Sequence, residues 1–223
     1  MSKLNNFVAI DWRSGPDRIY FFFKDTDQFS RYNNGDEKVP NEYPKPIKGN
    51  WPGFDAYAKH LRFGFTQTRA GDKDIAWLFF YNGDRPWVCA YDQDNDKADA
   101  FYDLSNSLWT PILPYFDRIV AGTWLEAIGH KYEFLFLLND GTRLTFHTVT
   151  QKINHQANAI LPGLAPYKDR LVTAAQIDPT FSDNLWCIFL TNDQFVVFNM
   201  QKGAVEGGVR NVSDTFAGLN RGL

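Results

Sequence analysis

A unit of about fifty residues recurs four times along the chain, and that recurrence limits the folds open to it. The first copy is the most legible. An apolar run, Ile19 to Phe23, breaks at the charged turn Lys24 to Asp27 and resumes as Phe29 to Tyr32 with polar residues at alternate places, which is a hairpin pattern. A tail with Pro40, Pro44, Pro46, Pro52 and Gly53 then prevents continuation as regular sheet. Equivalent short strands open each copy: Asn6 to Asp11, His60 to Phe65, Asp117 to Gly122 and Asp169 to Ala174. Aromatic apolar runs follow (Ile75 to Tyr81, Phe134 to Leu138, Leu185 to Leu190), then Asn/Asp/Gly turns, then alternating strands at Trp87 to Tyr91, Arg143 to His147 and Phe195 to Phe198. Each copy closes on Pro, Gly and aromatic residues: WPGF from Trp51, WTPILPYF from Trp109, LPGLAPY from Leu161 and FAGL from Phe216. Phe7, Leu61, Ile119 and Leu171 are spaced 54, 58 and 52 residues apart. Units of at least three strands at such a period are blades of a β-propeller.

Four interlocked units make one domain of residues 1–223, with blades at about 7–58, 59–116, 117–168 and 169–223 and short helical turns near Trp51, Pro111, Leu164 and Phe216. The class is all-β. A chain of 223 residues buries roughly 70–75% of its unfolded surface, and 44% apolar residues with 17% aromatics supply the core. The formal net charge of −3 gives no basic field, which excludes generic nucleic-acid or anionic-membrane binding. No segment approaches the ~20 apolar residues of a membrane span. The first six residues carry no apolar run of a secretory signal, so the expected location is cytoplasmic, or outside the cell by a route without a cleavable signal.

The strongest single turn is Asn139-Asp140-Gly141, because Asp-Gly tolerates the positive φ of a tight hairpin. The second unit has the longer turn Thr68 to Asp74, and its run IAWLFFY is apolar on both faces, as a strand between neighbouring blades must be. Asp92 to Asp99 reads as an acidic surface loop; it lacks the Gly and closing Glu of a calcium loop. Cys89, in the second unit's outer strand, and Cys187, in the fourth unit's apolar strand, fall inside β runs and read as buried free thiols, which favours a reducing compartment.

At these residues the chain resembles the hemopexin-repeat family of four-bladed propellers. IYFFFKDTDQFSRYN followed by EYPKPIKGNWPGF is similar to that family's YFFKGDxYWRYD and GYPKPIxxxWPGLP patterns, and the spacing from Val8 to Ile19-Tyr20-Phe21-Phe22 is nearest that of plant albumin-2-type members. The other three units match in layout and punctuation. The resemblance implies that the first strand of each blade lines a central tunnel, where main-chain carbonyls hold calcium, sodium or chloride. Carried onto this chain, those places are Val8, Arg62, Val120 and Val172, with Ala9, Phe63, Ala121 and Thr173 beside them. None is the Asp usual there, so weaker cation binding is expected: water or a monovalent ion in preference to Ca²⁺, and Arg62 even favours an anion. The family's disulfide between first and last blades has no counterpart, which leaves closure to packing.

No nucleophile elbow, HExxH, phosphate loop or Rossmann glycine pattern is present, and an enzyme is not expected. Three of the four histidines, His130, His147 and His155, share the third unit without a metal-ligand spacing. The sequon at Asn211 carries little without a secretory signal. Trp77, Trp87, Trp109 and Trp186 read as packing between blades, whereas Trp12 and Trp124 follow the inner strand and are candidates for a tunnel mouth. Asp11, Asp117 and Asp169 would lend that mouth negative charge. The expectation is a non-enzymatic binding protein whose tunnel takes a small ligand, of the haem or polyamine class that the resemblance implies, or an ion. The alternative is a module that binds a protein or glycan through its blade faces. A homodimer is also open.

Overall fold

The chain was analysed as a computed structural model that describes residues 4–68, 73–177 and 184–221. Among these described residues sixteen strands form four sheets of four, each a meander in chain order. Blade 1 holds β1 (Phe7–Trp12), β2 (Arg18–Phe23), β3 (Gln28–Asn33) and β4 (Lys45–Pro46). Blade 2 holds β5 (Leu61–Thr68), β6 (Asp74–Asn82), β7 (Arg85–Asp92) and β8 (Lys97–Asp103). Blade 3 holds β9 (Ile119–Trp124), β10 (Glu133–Leu138), β11 (Thr142–His147) and β12 (Lys152–Ile160). Blade 4 holds β13 (Leu171–Ile177), β14 (Leu185–Leu190), β15 (Gln194–Asn199) and β16 (Ala204–Asn211). Most of the Thr68 to Asp74 turn lies outside the described residues.

The first strands β1, β5, β9 and β13 stand side by side around one axis. Cross-blade hydrogen bonds fix their common direction: Ala9 N–H donates to Thr173 Oγ1 (3.2 Å), Thr66 N–H to Asp11 Oδ1 (3.2 Å), and Thr123 Oγ1 to Gln176 Oε1 (2.9 Å). Second strands are apolar on both faces because each is sandwiched between blades. In β2 both Phe21 and Phe22 are fully buried, and in β6 the whole run Ala76 to Phe80 is buried. Side chains alternate across a strand, so this double burial needs a neighbour on either side.

The seams differ in character. The seam between blades 2 and 3 is aromatic, with Trp109 packed on Phe65 (5.6 Å), Trp77 (5.3 Å) and Phe134 (5.0 Å). That between blades 3 and 4 is mainly aliphatic, built on Leu135, Leu137, Leu161, Leu164, Ile188 and Leu190 with Trp186 and Phe198. Trp51 wedges between blades 1 and 2 against Phe22 (4.5 Å), Tyr91 (5.1 Å) and Trp12 (5.7 Å). Blade 4 closes on blade 1 without a disulfide. Phe189 meets Phe7 and Phe21, each at 5.5 Å, and Phe216 meets Tyr32 at 4.8 Å. Val39 N–H donates to the Ala217 carbonyl (3.0 Å), and Tyr32 Oη donates to the Thr215 carbonyl (3.1 Å).

The Pro/Gly punctuation has a shared function. Ala98 N–H donates to the Pro52 carbonyl (2.9 Å) and Val205 N–H to the Pro162 carbonyl (3.2 Å), so these two linkers hook onto the fourth strand of the next blade. Gly53 and Gly163 follow those prolines with φ of +82° and +86°, and a Cβ there would fall 2.9 Å from Ala98 Cβ and 2.8 Å from Val205 Cβ. Only glycine meets both demands, the left-handed backbone and the missing volume. Helical turns follow at Ala58–His60, Thr110–Arg118, Ala165–Arg170 and α1 (Val212–Thr215); the first begins seven residues beyond Trp51, the intervening chain being plain turn.

Two expectations are corrected. Asp92 to Asp99 is not a surface loop throughout: β7 runs to Asp92 and β8 resumes at Lys97, while Asp92 and Gln93 are buried. Asp92 accepts from Asp94 N–H, Asn95 N–H and Asn95 Nδ2, each within 3.0 Å, and so turns the hairpin from inside. Burial pushes the Asp92 carboxyl up, but those bonds and the Lys73 ammonium outweigh it and hold it below its ordinary value. Cys89 lies in the third strand of its blade rather than the outer one, since β8 pairs beyond it.

Cys89 and Cys187 are free and buried in opposite blades, and burial pushes both thiols up, that of Cys187 to about 12. Thiol titration without reductant should therefore find two groups after denaturation and negligible reaction in the native protein; a zero count would place a disulfide where the blades cannot supply one. Replacement of Gly163 by Ala should lower the unfolding free energy by about 1–3 kcal/mol. A Val205→Ala background should recover part of that loss, measured by urea unfolding, because the two side chains compete for one space.

Candidate functional site

Several polar residues of the largely apolar interior collect at one end of the axis. Asp11, Thr66, Thr123 and Gln176 sit near the ends of the four inner strands, one per blade, and all are at most 5% exposed. Blade 2 adds Gln93 from its hairpin. Gln93 Nε2 donates to Thr66 Oγ1 (2.7 Å), while its Oε1 accepts from Arg13 N–H (2.9 Å) and Ser14 N–H (3.1 Å). Thr66 Oγ1 donates to the Asp11 carbonyl at 2.6 Å. These bonds lace blades 1 and 2 together where the apolar seam ends.

Asp11 is the charged member. Its Oδ1 takes the Thr66 N–H, but its Oδ2 has no hydrogen bond, only the Arg13 Nε at 3.6 Å. Burial raises the Asp11 carboxyl above its ordinary value, and Arg13 and Thr66 recover only part of the loss. A cavity of about 10 Å³ adjoins it, lined by Asp11, Trp12, Arg13, Asp17, Arg18, Asn34 and Gln176. Asn34 Oδ1 is a second buried oxygen without a partner. Two acceptors without donors therefore border a space the size of one water molecule.

The residues singled out as tunnel lining divide between the two ends of the axis. Asp11 and Trp12 border the cavity just described. The Trp12 ring is buried among Tyr20 (4.9 Å), Trp51 and Tyr91 (5.9 Å). Trp124 is likewise buried between blades 2 and 3, its Nε1 donating to the Lys131 carbonyl at 2.8 Å. Asp117 and Asp169 precede β9 and β13 and so stand exposed at the opposite end. There Asp117 accepts the Tyr81 hydroxyl, and its carbonyl accepts Arg62 Nη2 (3.2 Å). Lys24 lies at this end too, its ammonium pushed down by burial and by the neighbouring Arg62 charge. No single mouth gathers all five residues.

Arg62, Val120 and Val172 share a feature that the sequence does not display. Each is the extra residue of a β-bulge: Leu61 and Phe63 pair with Phe80 and Phe79, Ile119 and Ala121 with Leu138 and Leu137, and Leu171 and Thr173 with Leu190 and Phe189. The bulged residue drops out of the ladder. Val8 departs from the pattern, since it pairs in register with Phe22. Thr66, Gln93, Thr123, Gln176 and Asn34 were missed in the sequence. A polar residue breaking each inner strand near its end was the available signal for three of them; Gln93 and Asn34 arrive from hairpins and had none. Among the described residues no three of His, Cys, Asp and Glu gather into a metal-holding group. His130 pairs with Glu133 (3.3 Å) and His155 rests on Tyr115 (5.0 Å).

No protein-family profile matches the chain, and no curated protein sequence matches it either. Solved structures do. The chain superposes on the hemopexin fold protein CP4 from cow pea with a TM-score of 0.68 at 14% identity, covering 94% of both chains. A protein of unknown function from Bacteroides thetaiotaomicron gives a TM-score of 0.39 at 14% identity, covering 91% of this chain and 43% of that one. With the sheet order above, the first match establishes the fold: a four-bladed β-propeller of hemopexin type. Among the described residues no helix is long and apolar enough to cross a membrane.

The Asp11 environment has a pH signature. A carboxyl raised on folding opposes the native state once it must ionise, so its unfavourable contribution is absent below the unfolded pKa and grows as pH rises to the folded one. Asp11→Asn removes this term and keeps an acceptor for Thr66. Urea unfolding from pH 3.5 to 7 should show the variant gaining on the wild type as pH rises, and a constant difference would mean that Asp11 is as well solvated as in the unfolded chain.

Proposed function

We propose that the protein is a non-enzymatic binding protein whose propeller axis takes a small amine-bearing ligand, of the polyamine class, by an ammonium group at Asp11. The observation that carries this reading is the pair of buried oxygens, Asp11 Oδ2 and Asn34 Oδ1, that lack donors beside one cavity. Their unmet demand is for N–H or O–H groups. An ammonium supplies three donors and a charge that balances a desolvated carboxylate, so it answers both deficits. Arg13 and Arg18 also border the space, yet Asp17 stands beside them, and the formal charges of Asp11, Arg13, Asp17 and Arg18 sum to zero among the described residues. A cavity of about 10 Å³ suits an amine terminus and is far too small for a haem.

A second position on the same axis is supported by the bulges. Arg62, Val120 and Val172 have main-chain groups outside the sheet ladder, free to face water or an ion. Lys24 and Arg62 at that end oppose a divalent cation, and a monovalent ion or water is the expected occupant.

Calorimetric titration with spermine should give saturable binding that Asp11→Asn weakens at least about tenfold, the loss of one charge-assisted hydrogen bond. Asp169→Asn, at the far end, should leave it unchanged. Absence of spermine binding, or equal affinity in Asp11→Asn, would refute the reading; a hemin absorbance titration that saturates instead would transfer the site to haem.

A further inference from the structure

A second concavity, of about 390 Å³, lies away from the axis beside the link between blades 2 and 3. It is lined by Trp77, Tyr102, Asn106, Ser107, Leu108, Trp109 and Thr110. Its size falls within the range of small-molecule sites, ~300–1,000 Å³. In a chain of which 22% of residues are charged, none of these seven carries a charge. Tyr102, near the end of β8, is 40% exposed and Leu108 43% exposed; they are two of the five large apolar side chains most open to solvent among the described residues. One wall is thus an accessible aromatic ring and another an aliphatic side chain.

The polar groups here are all neutral hydrogen-bonding groups. Asn106 is exposed, and its amide has no hydrogen bond to a described residue. Ser107 Oγ donates to the Leu104 carbonyl (3.0 Å) and accepts from Trp109 N–H (3.1 Å), while Thr110 Oγ1 has the Leu104 (2.9 Å) and Ser107 (2.8 Å) carbonyls as acceptors and takes the Ser107 N–H (3.4 Å), which holds both hydroxyls in place with one lone pair each to spare. Trp109 is fully buried, and its Nε1–H has no acceptor. Trp77 Nε1 is already engaged with Gln67 Oε1 at 2.9 Å. The exposed Asn106 carboxamide is therefore open to a ligand, whereas the Trp109 donor is out of solvent reach.

We infer that this groove is a binding site for a neutral saccharide of one or two rings. A sugar ring has an apolar C–H face that stacks on an aromatic side chain, and hydroxyls around its edge that both donate and accept. The Tyr102 ring receives the face, Leu108 flanks it, and the ring hydroxyls meet Asn106, Ser107 and Thr110. A charged ligand gains nothing from an uncharged lining and loses its hydration there. A purely hydrocarbon ligand would strip water from the Asn106 amide and the two hydroxyls without replacing its hydrogen bonds. The site is separate from the Asp11 cavity and shares no residue with it.

The test titrates the full chain with maltotetraose, cellotetraose, chitotetraose and mannotetraose, together with a glucuronate tetramer as the charged counterpart, reading saturation-transfer NMR and tryptophan fluorescence. At least one neutral oligosaccharide should bind saturably and the glucuronate should not. Tyr102→Ala should weaken binding by about tenfold, the contribution of one stacked ring, while Tyr102→Phe keeps most of it. Because Tyr102 is exposed, both variants should keep the native circular dichroism. Saturating spermine should leave the saccharide affinity unchanged, so failure of one site does not imply failure of the other. Lack of binding by every neutral member, equal affinity in Tyr102→Ala, or a Tyr102-dependent self-association without saccharide binding would overturn the inference.

Discussion

The seam that joins blade 4 to blade 1 is the contact on which the rest of the structure depends. Each blade has second strands apolar on both faces, so a row of four blades would leave two broad apolar faces in water. Closing the row into a ring removes both. Here the closure is made by Phe189 on Phe7 and Phe21, by Phe216 on Tyr32, and by the Val39–Ala217 main-chain bond. Aromatic pairs contribute ~0.5–1.5 kcal/mol each beyond their buried area, and a group of them placed edge to face is directional as well as apolar. Directionality matters where a disulfide is absent, because the last blade must find the first in one register.

Ring closure also creates the axis. Four first strands brought side by side have apolar side chains to fill the seams, but their ends run out of apolar partners. The polar residues at those ends are then buried by the arrangement itself, and they pair across blades: Asp11 with Thr66, Thr123 with Gln176, Gln93 with the main chain of Arg13 and Ser14. Asp11 and Asn34 have an oxygen left over. That incompleteness is what separates a binding site from mere structural cross-bracing, since buried polar groups are normally satisfied. The groove beside Trp109 arises differently, where the linker between blades 2 and 3 lacks the Pro-Gly hook of the WPGF and LPGL linkers and takes a longer helical course over Thr110–Arg118.

The four units, the apolar runs and the hairpin turns were legible in the residues because local rules govern them: alternation, turn chemistry and Pro/Gly punctuation each act over a few residues. The linkers were legible as punctuation, though not the reason for their glycines, which lies in Ala98 and Val205 of other blades. Trp12 and Trp124 were placed at a mouth by position alone; both indoles are packed in the seams, Trp12 against Trp51 and Trp124 in the cluster of Phe134, and only Trp12 also borders the cavity. The grouping of Asp11 with Asp117 and Asp169 overlooked that an inner strand has two ends, and that residues before and after it come out on opposite sides.

The sequence by itself determined that this chain is an all-β propeller of four blades, since hydrophobic period, turn residues and repeat length are properties of consecutive residues. Tertiary structure alone decided which polar groups meet, because Asp11, Asn34, Thr66, Gln93 and Gln176 come from three blades and their convergence is set by closure of the ring. It also decided which side chains remain unsatisfied. Satisfaction is a property of pairs of atoms in space, and no residue in this chain declares its partner from a position 55 or more places away, as Asp11 and Thr66 are.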